Sequence, residues 1–167
     1  SFCGTIHSDR YEVLREIEKQ CRNLNLVFYK FYYLQSKFIY YYYRFMKISF
    51  RGVNSSEFSF EKMSQREISD VEKASRVIID VQHPAQSGLT MRTIEMIGLK
   101  KKLITTNVDI INYDFYDSAN VCVIDRKNPA VNQEFFSVPY KELAESVYER
   151  YSLQQWIIDV LGIGGGD

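Results

Sequence analysis

A chain of 167 residues suits one domain, or one half of a two-domain enzyme, and buries roughly 70% of its unfolded surface. Its 21 acidic and 21 basic residues cancel, which argues against a general nucleic-acid binder. No apolar run approaches the ~20 residues of a membrane span. Cys3, Cys21 and Cys122 are odd in number and widely spaced, so they read as free thiols of a reducing compartment, not as a disulfide frame or a zinc site.

In chain order, strand-like and helix-like segments alternate. Phe2 to Ile6 is a short apolar strand. Ser8 or Asp9 caps a helix from Arg10 to Cys21 with Val13, Leu14 and Ile17 on its apolar face. Asn23-Leu24-Asn25 ends it. Leu26 to Tyr29 reads as a second strand, Leu34 to Met46 as a helix, and Ile48 to Val53 as a weaker strand. Ser64-Gln65-Arg66-Glu67 is a capping box that starts a helix running to about Ala74.

Val77 to Val81 is the most buried-looking strand. A polar turn, Gln82 to Gly88, leads to a helix that starts at Leu89 or Thr90 and stops at Gly98. Strands at Leu103–Thr106 and Val121–Ile124 follow, separated by the loop Asn107 to Asp117. Helical patterns close the chain at Tyr140–Tyr151 and Leu153–Leu161. Gly164-Gly165-Gly166 reads as a flexible tail, and the domain is taken as residues 1–161. Because the chain opens inside a strand pattern, it is expected to be a domain excised from a longer protein.

Continuous apolar strands alternating with amphipathic helices predict an α/β fold, a Rossmann-like parallel sheet with helices on both faces. Ligands of such sheets bind outside the carboxyl ends of the strands. Two strand-to-helix turns should share that edge. In the first, Gly4-Thr5-Ile6-His7-Ser8-Asp9-Arg10, Gly4 and Thr5 allow phosphate approach while His7 and Arg10 donate to its oxygens.

The second turn holds His83, Gln86, Ser87, Gly88, Leu89 and Thr90. Gly88 permits close approach, Thr90 adds a hydroxyl, and Arg92 supplies charge if it points back to the turn. Glu95 is placed to accept from ribose hydroxyls. Together they describe a nucleotide-diphosphate pocket. Neither G-x-G-x-x-G nor a Walker lysine is present, so a plain dinucleotide or P-loop site is not expected. Each turn also has a plain reading, a capped helix start with surface charges.

Other features have structural readings. Asp114 and Asp117 are too weakly spaced for a metal site and suit a loop packed by Tyr113 and Phe115. Asp80 reads as a strand-end residue. The tyrosine run Tyr29, Tyr32, Tyr33 and Tyr40–Tyr43, interleaved with Lys30, Lys37, Arg44 and Lys47, reads first as a helix with one aromatic face in the core. Four consecutive tyrosines must spread around a helix, so some are exposed, to a partner domain or to membrane headgroups.

The segment H-P-A-Q-S-G-L-T-M-R-T-I-E-M-I-G-L-K-K-K-L-I-T-T-N resembles the donor-binding segment of GT-B glycosyltransferases, more narrowly the bacterial enzymes of capsule, exopolysaccharide and lipopolysaccharide assembly. In the family's usual pattern a G-L turn enters a helix carrying a glutamate, then a small residue and a strand. Here these are Gly88, Leu89, Glu95, Gly98 and Leu103 to Thr106. F-C-G-T-I-H-S-D-R-Y is similar to the first strand and phosphate loop of the family's C-terminal domain, N-Y-D-F-Y and the last helices resemble the narrower family, and the tyrosine-rich region matches least.

The resemblance implies the C-terminal half of a GT-B enzyme that binds a nucleotide-sugar as donor substrate, without a cofactor or a metal. It implies Glu95 on the ribose, the Gly88–Thr90 amides on the diphosphate, and Arg10 and Arg92 offsetting its charge. The partner is then an N-terminal acceptor domain of the same protein, and the site of action is the cytoplasm, at the inner face of the membrane if the tyrosine/lysine-rich segment makes peripheral contact. One departure concerns the donor sugar: Gln86-Ser87 stands where the family usually has an acidic residue in the turn. Without the acceptor domain the isolated chain is expected to be inactive. The alternatives are a non-catalytic nucleotide-binding or scaffold module, and a flavodoxin-like regulatory domain, for which no acidic phosphoacceptor pocket is visible.

Overall fold

A computed structural model describes residues 1–162 of the chain. The chain is α/β, and every paired strand is parallel. In order, the elements are β1 (Phe2–Thr5), α1 (Arg10–Asn23), β2 (Lys30–Tyr33), α2 (Lys37–Met46), α3 (Gln65–Ala74), β3 (Val77–Asp80), α4 (Met91–Gly98), β4 (Lys102–Thr105), β5 (Val121–Val123), α5 (Gln133–Ser137), α6 (Glu145–Arg150) and α7 (Leu153–Leu161). β1 pairs with β2, and β3–β4–β5 form a second ladder. The two meet at the start of β1, where the Ser1 amino group donates to Val77 O at 2.7 Å and Ile79 N donates to Ser1 O at 2.9 Å.

Side-chain alternation along the strands divides the core into two layers. Ile79 and Ile104 face the larger layer, beside Val13, Leu14, Ile17 and Cys21 of α1. Ile78, Leu103 and Val121 face the other, against Met96 and Ile97 of α4. Helices therefore cover both faces, as near-continuous apolar strands require. The larger layer is finished by rings: Phe50 stacks on Phe58 with centroids 5.5 Å apart, and Tyr11 lies 4.6 Å from Phe50.

Local signals set most helix starts. Ser64 and Glu67 complete the reciprocal capping box of α3. Thr90 Oγ1 accepts from Thr93 N to start α4, and Ser36 caps α2. Asp9 stands at the N-cap of α1 but makes no capping hydrogen bond, because its carboxylate is engaged elsewhere.

Several predicted boundaries move. The second strand is Lys30–Tyr33, not Leu26–Tyr29. The aliphatic run only leads into it, with Val27 97% exposed, while Tyr32 and Leu34 enter the core. Pairing with β1 and burial of rings outweigh the aliphatic pattern. The weak strand at Ile48–Val53 is instead a 3₁₀ turn at Ile48–Phe50, followed by Gly52 at φ 78°. Phe50 must turn inward to meet Phe58, which an extended segment would not allow. A 3₁₀ turn spans Val108–Asn112 in the loop after β4.

α5 was not foreseen, and α6 is shorter than the Tyr140–Tyr151 pattern. Lys102 explains how α5 is held. It is buried, donates to Phe135 O and to Val138 O (2.8 Å), and lies 4.0 Å from the centroid of the Phe135 ring. Cys3 and Cys21 are buried free thiols, and Cys122 is partly buried. The glycine-rich stretch 164–166 lies outside the described residues.

The ring layer should dominate stability. Phe50→Ala is expected to cost about 3–5 kcal/mol, whereas Phe38→Ala, on the exposed side of α2, should stay within about 0.5 kcal/mol. Urea unfolding of both variants checks this. Similar losses would mean that Phe50 is not the keystone of the layer.

Candidate functional site

Parallel strands place their outgoing turns along one edge. Four turns gather there, after β1, β3, β4 and β5, and Arg126 joins all four. It leaves the turn after β5, donates from Nη1 to Asp9 Oδ1 (2.5 Å) after β1, and from Nη2 to Gln82 O after β3 and to Thr106 Oγ1 (3.1 Å) after β4. Arg10 adds a second tie. Its Nε donates to Val81 O at 2.6 Å and its Nη1 to Thr5 O at 2.8 Å. Neither arginine is spent on one partner: Arg10 spans two main-chain carbonyls, and Arg126 holds one carbonyl together with two side chains.

The turn after β3 is braced within itself and to its neighbours. Thr90 Oγ1 donates to the buried Asp80 Oδ2 at 2.6 Å, so Asp80 is the strand-end anchor expected of it. Gln82 Nε2 donates to Gln86 O (2.9 Å), and Asn107 Nδ2 donates to Gly88 O (2.9 Å). Ala85 N donates to His83 Nδ1 at 3.1 Å. Gly88 has φ +76°, and a Cβ built there would meet nothing within 4 Å. Glycine is needed for its backbone conformation, with open space beside it. Gly4 is small for a different reason: a Cβ would come 3.2 Å from the Phe2 ring.

The predicted site residues separate into two groups. His7 and His83 come together across the first and second turns, with ring centroids 5.1 Å apart. Gly4, Thr5, Arg10, Gln86, Ser87, Gly88, Leu89 and Thr90 belong to these same turns, and His83, Gln86 and Ser87 are exposed. Arg92 does not turn back to them. Its Nη2 donates to Cys3 O at 2.6 Å, and its Nε lies 3.5 Å from the buried Glu72 Oε1 on α3. Glu95 is exposed on α4 and has no ion pair among the described residues.

Sequence reasoning missed Arg126, Gln82, Thr106 and Asn107. A signal existed for Arg126: it follows an apolar strand in a polar turn, as Arg10 does. Gln82 Oε1 is buried with no hydrogen-bond partner among the described residues, an acceptor left open beside the cationic groups. Asp114 and Asp117 are occupied otherwise. Arg150 and Tyr151 hold Asp114, while Lys141 and Ala119 N hold Asp117.

Two guanidinium groups, Arg10 and Arg126, and two carboxylates, Asp9 and Asp80, set the charge of this edge. Burial holds His7 down to about 4, and Arg10, His83 and Arg126 reinforce this against the opposing Asp9. Burial likewise lowers Arg10 to about 10, so its guanidinium stays charged at neutral pH. The two turns thus present a neutral imidazole among fixed cations. Comparisons with protein-family models, with curated proteins and with solved structures gave no match. The chemistry of the site therefore rests on this geometry.

Two predictions test the arrangement. Arg126→Met should cost about 1–3 kcal/mol, since Gln82 O and Thr106 Oγ1 lose a charged donor. A double-mutant cycle with Asp9→Asn should show coupling above about 0.5 kcal/mol, and additive losses would remove the clamp. For pH, the unfolded His7 titrates near 6.5 and the folded one near 4. Between these values the unfolded chain takes up a proton that the folded chain refuses, so stability falls as pH falls through that window. His7→Asn should reduce the loss measured by urea unfolding between about pH 7.5 and about pH 5. An identical loss in both proteins would show that His7 is not held neutral.

Proposed function

We propose that this chain binds a nucleoside-diphosphate sugar at the carboxyl edge of its parallel strands, as the C-terminal donor domain of a GT-B glycosyltransferase. The parent enzyme would transfer a sugar in bacterial surface polysaccharide assembly. One observation carries the reading. The turns after β1 and β3 are locked side by side by Arg10 and Arg126, with His7 and His83 facing each other between fixed positive charges. A diphosphate satisfies such a site.

In this reading the residues bind and hold charge. His7 and Arg10 donate to phosphate oxygens, Arg10 through guanidinium N–H groups not used on Val81 and Thr5. The amides at Gly88–Thr90 and the start of α4 add partial positive charge. As the bond to the sugar breaks, negative charge grows on the leaving diphosphate, and preorganised donors stabilise it most there. Glu95 accepts from the ribose. The base that activates the acceptor would come from an N-terminal domain of the parent protein.

A second reading, a nucleotide-binding module without chemistry, draws on the arginines. Arg92, expected at the phosphates, holds Cys3 O instead, and Arg10 is half committed to carbonyls. Nucleotide binding without donor hydrolysis or sugar transfer in the full-length parent would select it.

Titration calorimetry with UDP and GDP tests both readings at once, and failure of both nucleotides to bind would sink them. Glu95→Ala should weaken binding by roughly 1–3 kcal/mol for one charged hydrogen bond, and unchanged affinity would remove Glu95 from the site. A bound diphosphate should raise His7 from its depressed value. Binding at about pH 5.5 should therefore take up protons, seen as a dependence of the heat on the buffer's ionisation enthalpy.

A further inference from the structure

α2 leaves a face of the molecule uncovered. Tyr40 is buried, its hydroxyl donating to Val53 O at 2.8 Å, and Tyr43 and Ile39 pack on the ring layer. The opposite side carries Phe38, Tyr41, Tyr42 and Phe45, at i, i+3, i+4 and i+7, all exposed; Phe38 is 79% and Phe45 83% accessible. Met46 and Ile48 extend the stripe. This spacing makes a single apolar face about 10 Å long on a ten-residue helix.

The charge around the stripe is one-sided. From Phe31 to Ser56 the chain carries Lys37, Arg44, Lys47 and Arg51 and no aspartate or glutamate, in a protein whose charges balance overall. Arg44 donates to Tyr40 Oη at 3.0 Å, and Lys47 donates to Ser8 O and lies 4.2 Å from the centroid of the Tyr43 ring. Glu12 touches the far end through Ser49 Oγ at 2.5 Å. No helix among the described residues is long and apolar enough to cross a membrane.

We infer that α2 and the turn after it form a peripheral docking face for an anionic lipid surface. The exposed rings enter the headgroup region, where an amphipathic aromatic is at home, and the exposed Lys37, Arg44 and Arg51 meet lipid phosphates. Charge complementarity selects this occupant over a second copy of the chain, whose own α2 would bring the same positive charge. The exposed face of α7, with Leu153, Trp156, Ile157, Val160 and Leu161, differs. It has Asp159 beside it and no basic residue within the helix, so nothing comparable identifies its cover. The inference does not depend on the nucleotide reading.

Sedimentation of the chain with vesicles is the test. Binding is expected to vesicles of phosphatidylcholine mixed with phosphatidylglycerol, to weaken with added salt, and to be slight with phosphatidylcholine alone. Lys37→Gln with Arg51→Gln should lower partitioning by about tenfold or more, since each basic residue near such a surface contributes about fivefold. Phe38→Gln with Phe45→Gln should abolish binding. All four side chains are exposed, so a thermal melt should show both double variants folded. Absence of binding, equal binding to the neutral vesicles, or full binding by the phenylalanine variant would overturn the inference. So would a wild-type dimer that this variant makes monomeric without any vesicle binding.

Discussion

The structure turns on guanidinium groups that hold main-chain carbonyls at the carboxyl edge of the strands. Short parallel strands satisfy each other's backbone for only three or four residues. Beyond them, Thr5 O, Val81 O and Gln82 O leave the ladders with no strand partner, and Arg10 and Arg126 supply the missing donors. A buried unsatisfied carbonyl is costly, so these turns could not close over the core without such donors. The planar fork of arginine fits because its N–H groups diverge and reach several turns together.

That construction also determines what the edge can bind. Cations placed to hold carbonyls remain cations. Asp9 and Asp80 lie close enough to offset part of the charge: Asp9 pairs with Arg126, and Asp80 draws Arg10 toward its charged form. His7, between them, is driven neutral by burial and by its neighbours. In the proposed reading an incoming diphosphate meets the two guanidinium groups at this edge. If it binds as proposed, it does so through preorganisation, since the groups are already fixed by the fold and little ordering remains to be done.

Much of the fold was legible because its signals are local. Ser64 to Glu67, Thr90 and the apolar strands at β3, β4 and β5 each declare their element within a few residues. β2 was displaced because Leu26–Tyr29 and Lys30–Tyr33 are equally good strand formers. Only pairing with β1 and the inward turn of Tyr32 and Leu34 distinguish them, and both are non-local. Phe50 ended a predicted strand for the same reason, its partner Phe58 arriving later in the chain. α5 was hidden because its anchor, Lys102, is a buried cation inside a strand, where sequence patterning expects an apolar residue.

The candidate site was legible as a place and less so as a set of contacts. The turns after β1 and β3 were correctly set on one edge, and His7 does meet His83 there. Arginines were harder to assign, because a guanidinium near a strand end has two competing uses, an anion or a stranded carbonyl. Arg92 illustrates the choice. In the first turn of α4, its side chain can run toward the helix start or across the sheet. The Cys3 carbonyl and the buried Glu72 draw it across, since leaving Glu72 alone in the core would cost more than forgoing a solvent-exposed phosphate contact. The charge that faces the turns is therefore supplied by Arg10 after β1 and by Arg126 after β5. The arrangement of this edge is thus a property of the assembled fold: it requires β5 in place.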